Sequence, residues 1–304
     1  MVLLTPDTNE ILKTGINKIL VPVDYSECSF LACKYAVRLA SYTNASIQLL
    51  HTFYSPAFDL VELTTKYERE KLKKEIFESE QEIEQKRLEE FEKNLNAALI
   101  KNGYRDVPIH SEIVPGIPLD EILAYSKKMQ PDLIIMGTKG RNKETAIMGS
   151  VTAKVISRET TPVLAIPEDY IFVGRDQIRE IIYVTEFDES DFLTIKVLND
   201  LAWPTGFKLH FVHACKSPGS TSEQKKLDSF KNYFTTHYPD INFSVYSFEN
   251  KDLLTQIDEL ILQNKIKLIA VKNFRKSLIK RLFQGNITKR LFYHTTVPLL
   301  VFHG

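Results

Sequence analysis

The chain has few cysteines, no excess of either charge and no long apolar run, and each absence narrows what it can be. Its three cysteines show neither the even count of a disulfide framework nor the paired spacing of a metal site, which favours a reducing compartment. Basic and acidic residues number 39 each, so no overall field attracts nucleic acid or an anionic membrane. No apolar stretch reaches the length that spans a bilayer. We therefore expect a soluble cytoplasmic protein with no nucleic-acid or membrane partner and no metal site.

A pattern of short apolar strands and amphipathic helices occurs twice along the chain. In the first half, strands are predicted near 18–24, 46–53, 108–114, 132–136 and 162–166. The second half repeats three of these segments, since 18–24 aligns with 180–186, 49–51 with 211–213 and 161–164 with 297–300. Strands that alternate with helices are typical of a parallel sheet covered on both faces. We predict an α/β protein of two tandem, doubly wound five-stranded domains, 1–168 and 169–304.

The first half carries extra sequence, an insertion of about 57–100, between its second and third strands. Residues 67–100 are rich in Glu, Lys, Gln and Leu and contain neither Pro nor Gly, which predicts a long helix with intrahelical ion pairs. Its expected apolar stripe consists of Leu72, Ile76, Ile83, Leu88, Phe91 and Leu95. Two interpretations are open: a lengthened helix that covers its own sheet, and a helix that binds a partner.

A strand followed by glycines indicates a place to hold phosphate. The apolar run 133–136 leads into Gly137 and Gly140, and Gly149 with Ser150 begins a helical segment. Glycines permit a tight turn and a close approach of the backbone to a ligand, and a helix N-terminus offers unpaired N–H groups to an anion. The alternative is a turn followed by an ordinary N-cap.

This loop differs from the phosphate loop of efficient nucleotide hydrolases. No Gly-Lys-Ser/Thr follows Gly137 at the spacing that would place a lysine on the terminal phosphates and a hydroxyl on magnesium. We therefore expect a binding protein with no catalytic residue, capable at most of very slow ATP hydrolysis.

Several motifs together resemble the universal stress protein family. In the first half these are Val-Pro-Val-Asp at 21–24, Leu-Leu-His at 49–51, Val-Pro-Gly-Ile-Pro at 114–118, Asp-Leu-Ile-Ile-Met-Gly-x-x-Gly at 132–140, Gly-Ser at 149–150 and Thr-Pro-Val-Leu-Ala-Ile-Pro at 161–167. The chain is similar to a tandem member of that family, with the Rossmann-like fold of adenine nucleotide alpha hydrolases. The family motif has nine residues between its second glycine and Gly-Ser, and here residues 141–148 supply eight.

The resemblance implies an adenine-nucleotide site at the carboxyl ends of the strands of the first half. The residues that it assigns to this site are Pro22, Asp24 and Ile47 beside the adenine, Met136 and Gly137 near the ribose, and Gly140, Gly149, Ser150, Val151 and Thr152 along the phosphates. Lys139 is not a family requirement, but its side chain can reach a phosphate; the alternative is a solvated loop charge. The alternative for Asp24 is a role at a helix N-terminus beside Ser26. We interpret His51 as structural, since no nucleophile or metal partner stands at a recognisable spacing from it.

The second half departs from the motif at nearly every contact. Gly137 corresponds to Lys272, Gly140 to Arg275 and Asp24 to Glu186, while Gly285 remains at the end of the loop. Side chains at positions 272 and 275 would project where the glycine backbone must stay open, so we expect no ordinary ATP binding there. A basic cluster around these residues is either a solvated surface or a site for another anion.

The function implied is a cytoplasmic stress-response protein that binds ATP, with or without Mg²⁺, or another adenine nucleotide. Its partners would be the nucleotide and whatever protein responds to its occupancy. The alternative is an interaction module that has no cofactor and works without nucleotide. The resemblance also implies that the fifth strands, 162–166 and 298–302, pair antiparallel within one chain, because apolar edge strands need covering. The sequence leaves open whether two such chains form a homodimer.

Overall fold

The computed structural model describes residues 15–55, 66–104, 107–138, 150–170, 179–185, 187, 191, 194–195, 198, 207–273 and 297–303. The strands of the first half are β1 Lys18–Val23, β2 Ser46–Phe53, β3 Ile109–Pro115, β4 Leu133–Gly137 and β5 Val163–Ile166. Those of the second half are β6 Glu180–Thr185, β7 Lys208–Cys215, β8 Asn242–Glu249, β9 Leu268–Asn273 and β10 Leu299–His303. The helices are α1 Glu27–Thr43, α2 Lys66–Lys101, α3 Pro118–Met129, α4 Ser150–Arg158, α5 Thr221–His237 and α6 Leu253–Asn264.

All ten strands form one sheet in the order β3-β2-β1-β4-β5-β10-β9-β6-β7-β8. Every neighbouring pair is parallel except β5 and β10. Both faces are covered, so the inner strands are apolar throughout; β4, for example, buries Leu133 through Met136. The structure confirms the predicted α/β class and the two doubly wound groups of five strands.

The two halves join through their fifth strands. Leu300 pairs with Leu164 and Val301 with Val163 in antiparallel register. All four side chains are fully buried, so the join lies inside the apolar core of the sheet. The predicted antiparallel pairing is confirmed, and neither of these strands remains an open edge.

Helix α2 has two parts with different surroundings. Its carboxyl-terminal part covers the sheet and buries Leu88, Phe91, Leu95 and Leu99. Its amino-terminal part leaves Leu72 43% and Ile83 48% exposed, because at 3.6 residues per turn these two lie roughly a third of a turn away from the buried row. The predicted long helix is confirmed, but its single apolar stripe is wrong. Among the helices described, none is both long enough and apolar enough to cross a membrane.

Candidate nucleotide site

The first half forms a crevice where the carboxyl ends of β1 and β4 lie side by side. Strand β1 lies between β2 and β4, so the chain leaves it toward one side and returns on the other. Such a reversal of strand order is where open doubly wound sheets place their ligands. Pro22 and Met136 are buried near the ends of these strands, and Asp24 follows β1 half-buried. The structure therefore brings these three predicted site residues to one edge of the sheet.

The carboxylate of Asp24 is held at the start of α1. Its Oδ1 accepts hydrogen bonds from the backbone N–H of Ser26 at 3.1 Å and from the Ser26 hydroxyl at 2.6 Å. Ser26 in turn caps α1, since its Oγ accepts from the N–H of Ser29 at 3.1 Å. Asp24 thus has the helix-terminus role that the sequence offered as an alternative, and the same contacts fix its carboxylate at the crevice.

Gly137 has a packing role that the sequence did not indicate. A Cβ on this residue would lie 2.8 Å from the backbone carbonyl carbon of Cys28 and 2.9 Å from its oxygen. Contacts this short do not occur in folded proteins, so β4 can approach α1 only with glycine here. Our prediction assigned this glycine to the approach of a ligand, whereas the structure shows that the approach of a helix already requires it.

The first turn of α4 lies against the end of β4. The hydroxyl of Thr152 donates a hydrogen bond to the carbonyl oxygen of Gly137 at 2.8 Å, and Thr152 is buried. Ser150 is exposed and Val151 half-buried. The Thr152 hydroxyl therefore holds the helix to the strand, so the predicted contact of Thr152 with a phosphate would have to use its backbone N–H. The N–H groups of the first turn have no partners within the helix and are the groups suited to an anion.

Ile47 is not part of this crevice. It is fully buried near the amino end of β2, where it pairs with Ile19 and Ile109. Because β1 and β2 are parallel, Ile47 lies at the opposite end of the sheet from Asp24. The prediction for Ile47 is thus wrong. The register pairs Val23 with His51, which places Thr52 beside Asp24 on the neighbouring strand. The sequence analysis missed Thr52 because the sequence locates the strand ends only approximately, and the position of Thr52 depends on where β2 ends.

The remaining predicted site residues, Lys139, Gly140 and Gly149, lie outside the described residues. Their assignment to the phosphates stays a prediction.

A buried histidine cluster supports the crevice from the face that α2 covers. The Nδ1 of His51 lies 2.9 Å from the carbonyl oxygen of Val23, and its Nε2 lies 3.3 Å from Oε2 of Glu84 on α2. Tyr25 has a left-handed backbone (φ 62°) and stacks on the His51 ring at 4.1 Å. Burial lowers the pKa of His51, although the hydrogen bond that its ring donates to the Val23 carbonyl and the charge of Glu84 oppose the shift. These contacts agree with a structural histidine.

The second half repeats this cluster with one substitution. His213 lies 2.8 Å from the carbonyl oxygen of Thr185 through Nδ1 and 3.5 Å from Glu223 through Nε2. Phe187 replaces the tyrosine, again with a left-handed backbone (φ 58°), and stacks on His213 at 4.6 Å. We call the two sets, Tyr25–His51–Glu84 and Phe187–His213–Glu223, the histidine clamps.

The clamps also locate the extra sequence of the first half. The offset between the halves is 162 residues at the histidines (51 to 213) but 139 at the glutamates (84 to 223). Glu223 lies in the first turn of α5, which Ser220 caps, whereas Glu84 lies in the middle of α2. Most of the extra sequence, 23 residues, therefore lies between His51 and Glu84, and a few further residues follow Glu84, because the offset falls to 134 at the third strands (109 to 243). The bounds 57–100 stay a prediction.

The crevice of the second half has different chemistry. Lys272 stands at the position of Gly137 and is only 6% exposed. Asp191 is fully buried at the position of Ser29 and accepts hydrogen bonds from the hydroxyls of Tyr183, at 2.6 Å, and Thr185. Charged and hydroxyl groups thus fill the end of β6 and β9, where the first half has glycine and small side chains.

A tandem, doubly wound α/β sheet with a crevice at the β1–β4 reversal is typical of a class of Rossmann-like proteins. Comparison with known sequences identifies the family within this class. The model of the universal stress protein family matches residues 15–167, half of the chain. The protein therefore belongs to the universal stress protein family.

Known relatives agree with this assignment. The first half is similar to two proteins of Methanocaldococcus jannaschii. One is Universal stress protein MJ0531, 32% identical over 52% of this chain and 88% of that protein. The other is Universal stress protein MJ0577, 32% identical over 49% of this chain and 93% of that protein. Over nearly its whole length the fold is similar to the crystal structure of a universal stress protein from Archaeoglobus fulgidus, with a TM-score of 0.65, 16% identity and coverage of 94% and 96% of the two chains. That likeness extends the family fold to the second half.

Proposed function

We propose that the first half binds an adenine nucleotide, with ATP the expected ligand, and that the protein acts as a cytoplasmic, nucleotide-dependent regulator in the response to stress. The observation that carries the proposal is that Asp24 follows β1 and the first turn of α4 is bonded to the end of β4, so both lie at the carboxyl ends of two neighbouring parallel strands, where the strand order reverses and this class of fold holds its ligands.

The described residues fit the parts of such a ligand. The Asp24 carboxylate, fixed by Ser26, suits the hydroxyls of a ribose or the amine of an adenine, which are donors. The buried apolar surface of Pro22 and Met136 suits the flat face of the base. The N–H groups of Ser150 and Val151 suit a phosphate, together with Lys139, Gly140 and Gly149 of the preceding loop. Mg²⁺, when bound with ATP, would neutralise phosphate charge.

These residues bind and orient a nucleotide, and we assign none of them to its hydrolysis. The first half has no lysine at the spacing of an efficient phosphate loop, so any turnover should be slow. We propose that the chain divides at residues 168 and 169 and that the second half does not bind ATP in this way. The buried Lys272 supports this difference between the halves, because its side chain occupies the position where Gly137 of the first half has no side chain.

A thermal-shift experiment with ATP and Mg²⁺ tests the proposal. At a ligand concentration of about 100 times Kd, binding stabilises the folded state by about 2.7 kcal/mol, which should raise Tm by several degrees. The shift should disappear in Gly140→Glu and Gly149→Glu, which place a carboxylate where the phosphates would lie. The matched control is Gly285→Glu in the second half, which should keep the full shift. A folded wild type whose Tm does not respond to ATP, ADP or AMP would contradict the proposal.

One observation favours a second candidate, an interaction module that works without nucleotide. Leu72 and Ile83 expose apolar surface on the part of α2 that precedes Glu84, and the second half has no counterpart to that part. Leu72→Lys with Ile83→Lys should leave both the fold and any ATP-dependent Tm shift unchanged. If the double lysine variant loses the protein's cellular role and Gly149→Glu keeps that role, the second candidate is favoured over the first.

A further inference from the structure

The sheet ends in two edge strands of different chemistry. Strand β3 is one edge and strand β8 is the other. Strand β3 includes Glu112, exposed, and ends at Pro115, both of which are ordinary protections against pairing with another chain. From Asn242 through Phe248, β8 has the sequence Asn-Phe-Ser-Val-Tyr-Ser-Phe, with no charge and no proline. Among the described residues, these protections occur on the edge strand β3 and not on 242–248 of β8.

The direction of the backbone groups shows which residues of β8 face outward. The N–H of Asn250, just after β8, donates to the carbonyl oxygen of Cys215 on β7 at 3.0 Å. The backbone N–H and C=O groups of successive residues alternate in direction along a strand. The backbone groups of the even-numbered residues of β8 therefore bond to β7, and those of Phe243, Val245 and Ser247 point away from the sheet. In the part of the chain that the structure describes, no strand pairs with this outer row.

The same reasoning applied to β3 gives a different outer row. The N–H of Gly116 donates to the carbonyl oxygen of Phe53 at 2.8 Å. The backbone N–H and C=O groups of the odd-numbered residues of β3 therefore point away from the sheet. That row includes Ser111 and ends at Pro115, which has no N–H to donate. A second strand added to β3 would therefore lose a hydrogen bond and would meet the charge of Glu112, whereas one added to β8 would not.

We propose that β8 pairs antiparallel with β8 of a second copy of this chain, in the register that places Val245 opposite Val245. In that register Phe243 lies opposite Ser247 of the other copy, and the outward rows exchange about six hydrogen bonds. Phe243 and Tyr246 each lie opposite a serine of the other copy, and Glu249 falls beyond the last hydrogen-bonded pair. The strand is thus complementary to itself, which is why a second copy is its partner.

Two features of the chain support this pairing. Strand β8 is already held in place on both sides of the sheet, since Phe243 and Val245 pack on one core and Tyr246 and Phe248 on the other, so little order must be gained on association. The chain also contains a join of the same kind, because β5 and β10 are equivalent strands of two repeats that pair antiparallel. The proposed dimer would continue the sheet through a second such join, and it does not rest on nucleotide binding.

Sedimentation velocity over a concentration series, without nucleotide, tests the proposal with two matched variants. Val245→Pro removes an outward N–H from β8, and Ser111→Pro removes one from the protected edge β3. Neither change removes a hydrogen bond to the neighbouring strand, so both variants should fold. The wild type and Ser111→Pro should dimerise equally, and Val245→Pro, which loses two of the six hydrogen bonds, should bind about tenfold or more weakly.

Amide hydrogen exchange on the wild type supplies a second readout that needs no variant. The N–H of Val245 should become protected as the protein concentration rises, while that of Tyr246, bonded to β7, should be protected at all concentrations. A wild type that stays monomeric at several hundred micromolar, equal weakening by the two proline variants, or a dimer in which Val245 exchanges freely would each overturn the proposal.

Discussion

The two halves of the protein retain the same histidine clamp but differ at the crevice beside it. In both halves a histidine Nδ1 lies within 2.9 Å of the carbonyl oxygen that ends the first strand of its repeat, and a glutamate of the covering helix lies next to Nε2. At the crevice, Gly137 of the first half corresponds to the buried Lys272 of the second. The comparison separates the contacts that both halves share from those that differ between them.

The clamp belongs to the fold because its contacts join three elements that must meet in each half. It satisfies a buried carbonyl group and fixes the left-handed residue after the first strand, Tyr25 or Phe187, by stacking. It also brings a glutamate of the covering helix close to Nε2, Glu84 at 3.3 Å in the first half and Glu223 at 3.5 Å in the second. Packing fixes the crevice glycine only in the first half, where the Cys28 backbone leaves no room for a Cβ on Gly137, whereas the second half accommodates the buried side chain of Lys272 at that position.

The largest effect should come from removing the clamp. His51→Ala leaves the Val23 carbonyl without its donor, Glu84 without its partner and a cavity under Tyr25, so it should cost about 4 kcal/mol of unfolding free energy. His213→Ala should cost a similar amount, because its contacts are nearly the same. Urea denaturation followed by circular dichroism measures both. A difference above about 2 kcal/mol between the two variants would break the equivalence of the clamps.

The next effect tests the packing role of glycine in the first half. Gly137→Ala should cost about 3 kcal/mol because its Cβ would collide with the Cys28 backbone. Adding Cys28→Ala should not recover the loss, since the collision involves backbone atoms as well as Sγ. Gly219→Ala is the control: it has open space around it and only a left-handed φ of 83° to strain, which costs about 1 kcal/mol. Equal losses at 137 and 219 would show that β4 and α1 can move apart.

The positions of most strands along the chain could be predicted because their sequence signals are local and occur twice. Apolar runs bounded by turns located the five strands of the first half, and the recurrence of Leu-Leu-His as Phe-Val-His helped to locate three strands of the second; β8 and β9 were not predicted. The pairing of 162–166 with 298–302 came from the family resemblance rather than from any local signal. The division of the chain at residues 168 and 169 stays a prediction.

The site was less open to prediction, because its geometry depends on register and on packing between distant residues. Ile47 was misplaced because the run from Ser46 to Phe53 does not say which of its residues reaches the carboxyl edge. The role of Gly137 depends on Cys28, which is more than a hundred positions away in sequence. Thr152 was correctly placed at the start of α4, but the bond from its hydroxyl to Gly137 follows only from the packed structure.

A change of pH should distinguish His51 from the rest of the molecule. Burial lowers the pKa of His51 in the folded state below its ordinary value of 6.5, so the unfolded chain binds a proton more readily. The contribution of His51 to the free energy of unfolding should therefore be complete above pH 6.5 and should decrease as the pH falls through and below that value. Glu84 and Asp24 are the charged groups that face this ring and limit the loss. The difference in unfolding free energy between wild type and His51→Gln, measured at pH 7.5 and 5.0, should shrink in acid. A difference that grows in acid would mean that protonated His51 stabilises the clamp.

The smallest effect should come from the one substitution that separates the clamps. Tyr25→Phe gives the first half the residue that the second half already has at Phe187, and the ring keeps its stacking on His51. The hydroxyl donates to the backbone oxygen of Glu84 at 3.4 Å, which is at the limit of a hydrogen bond, so the loss should stay within about 0.5 kcal/mol. Tyr25→Ala should cost about 2 kcal/mol more, because it also removes the ring. If the Phe variant loses as much as the Ala variant, the hydroxyl rather than the stacked ring secures α2, and the two clamps work by different contacts.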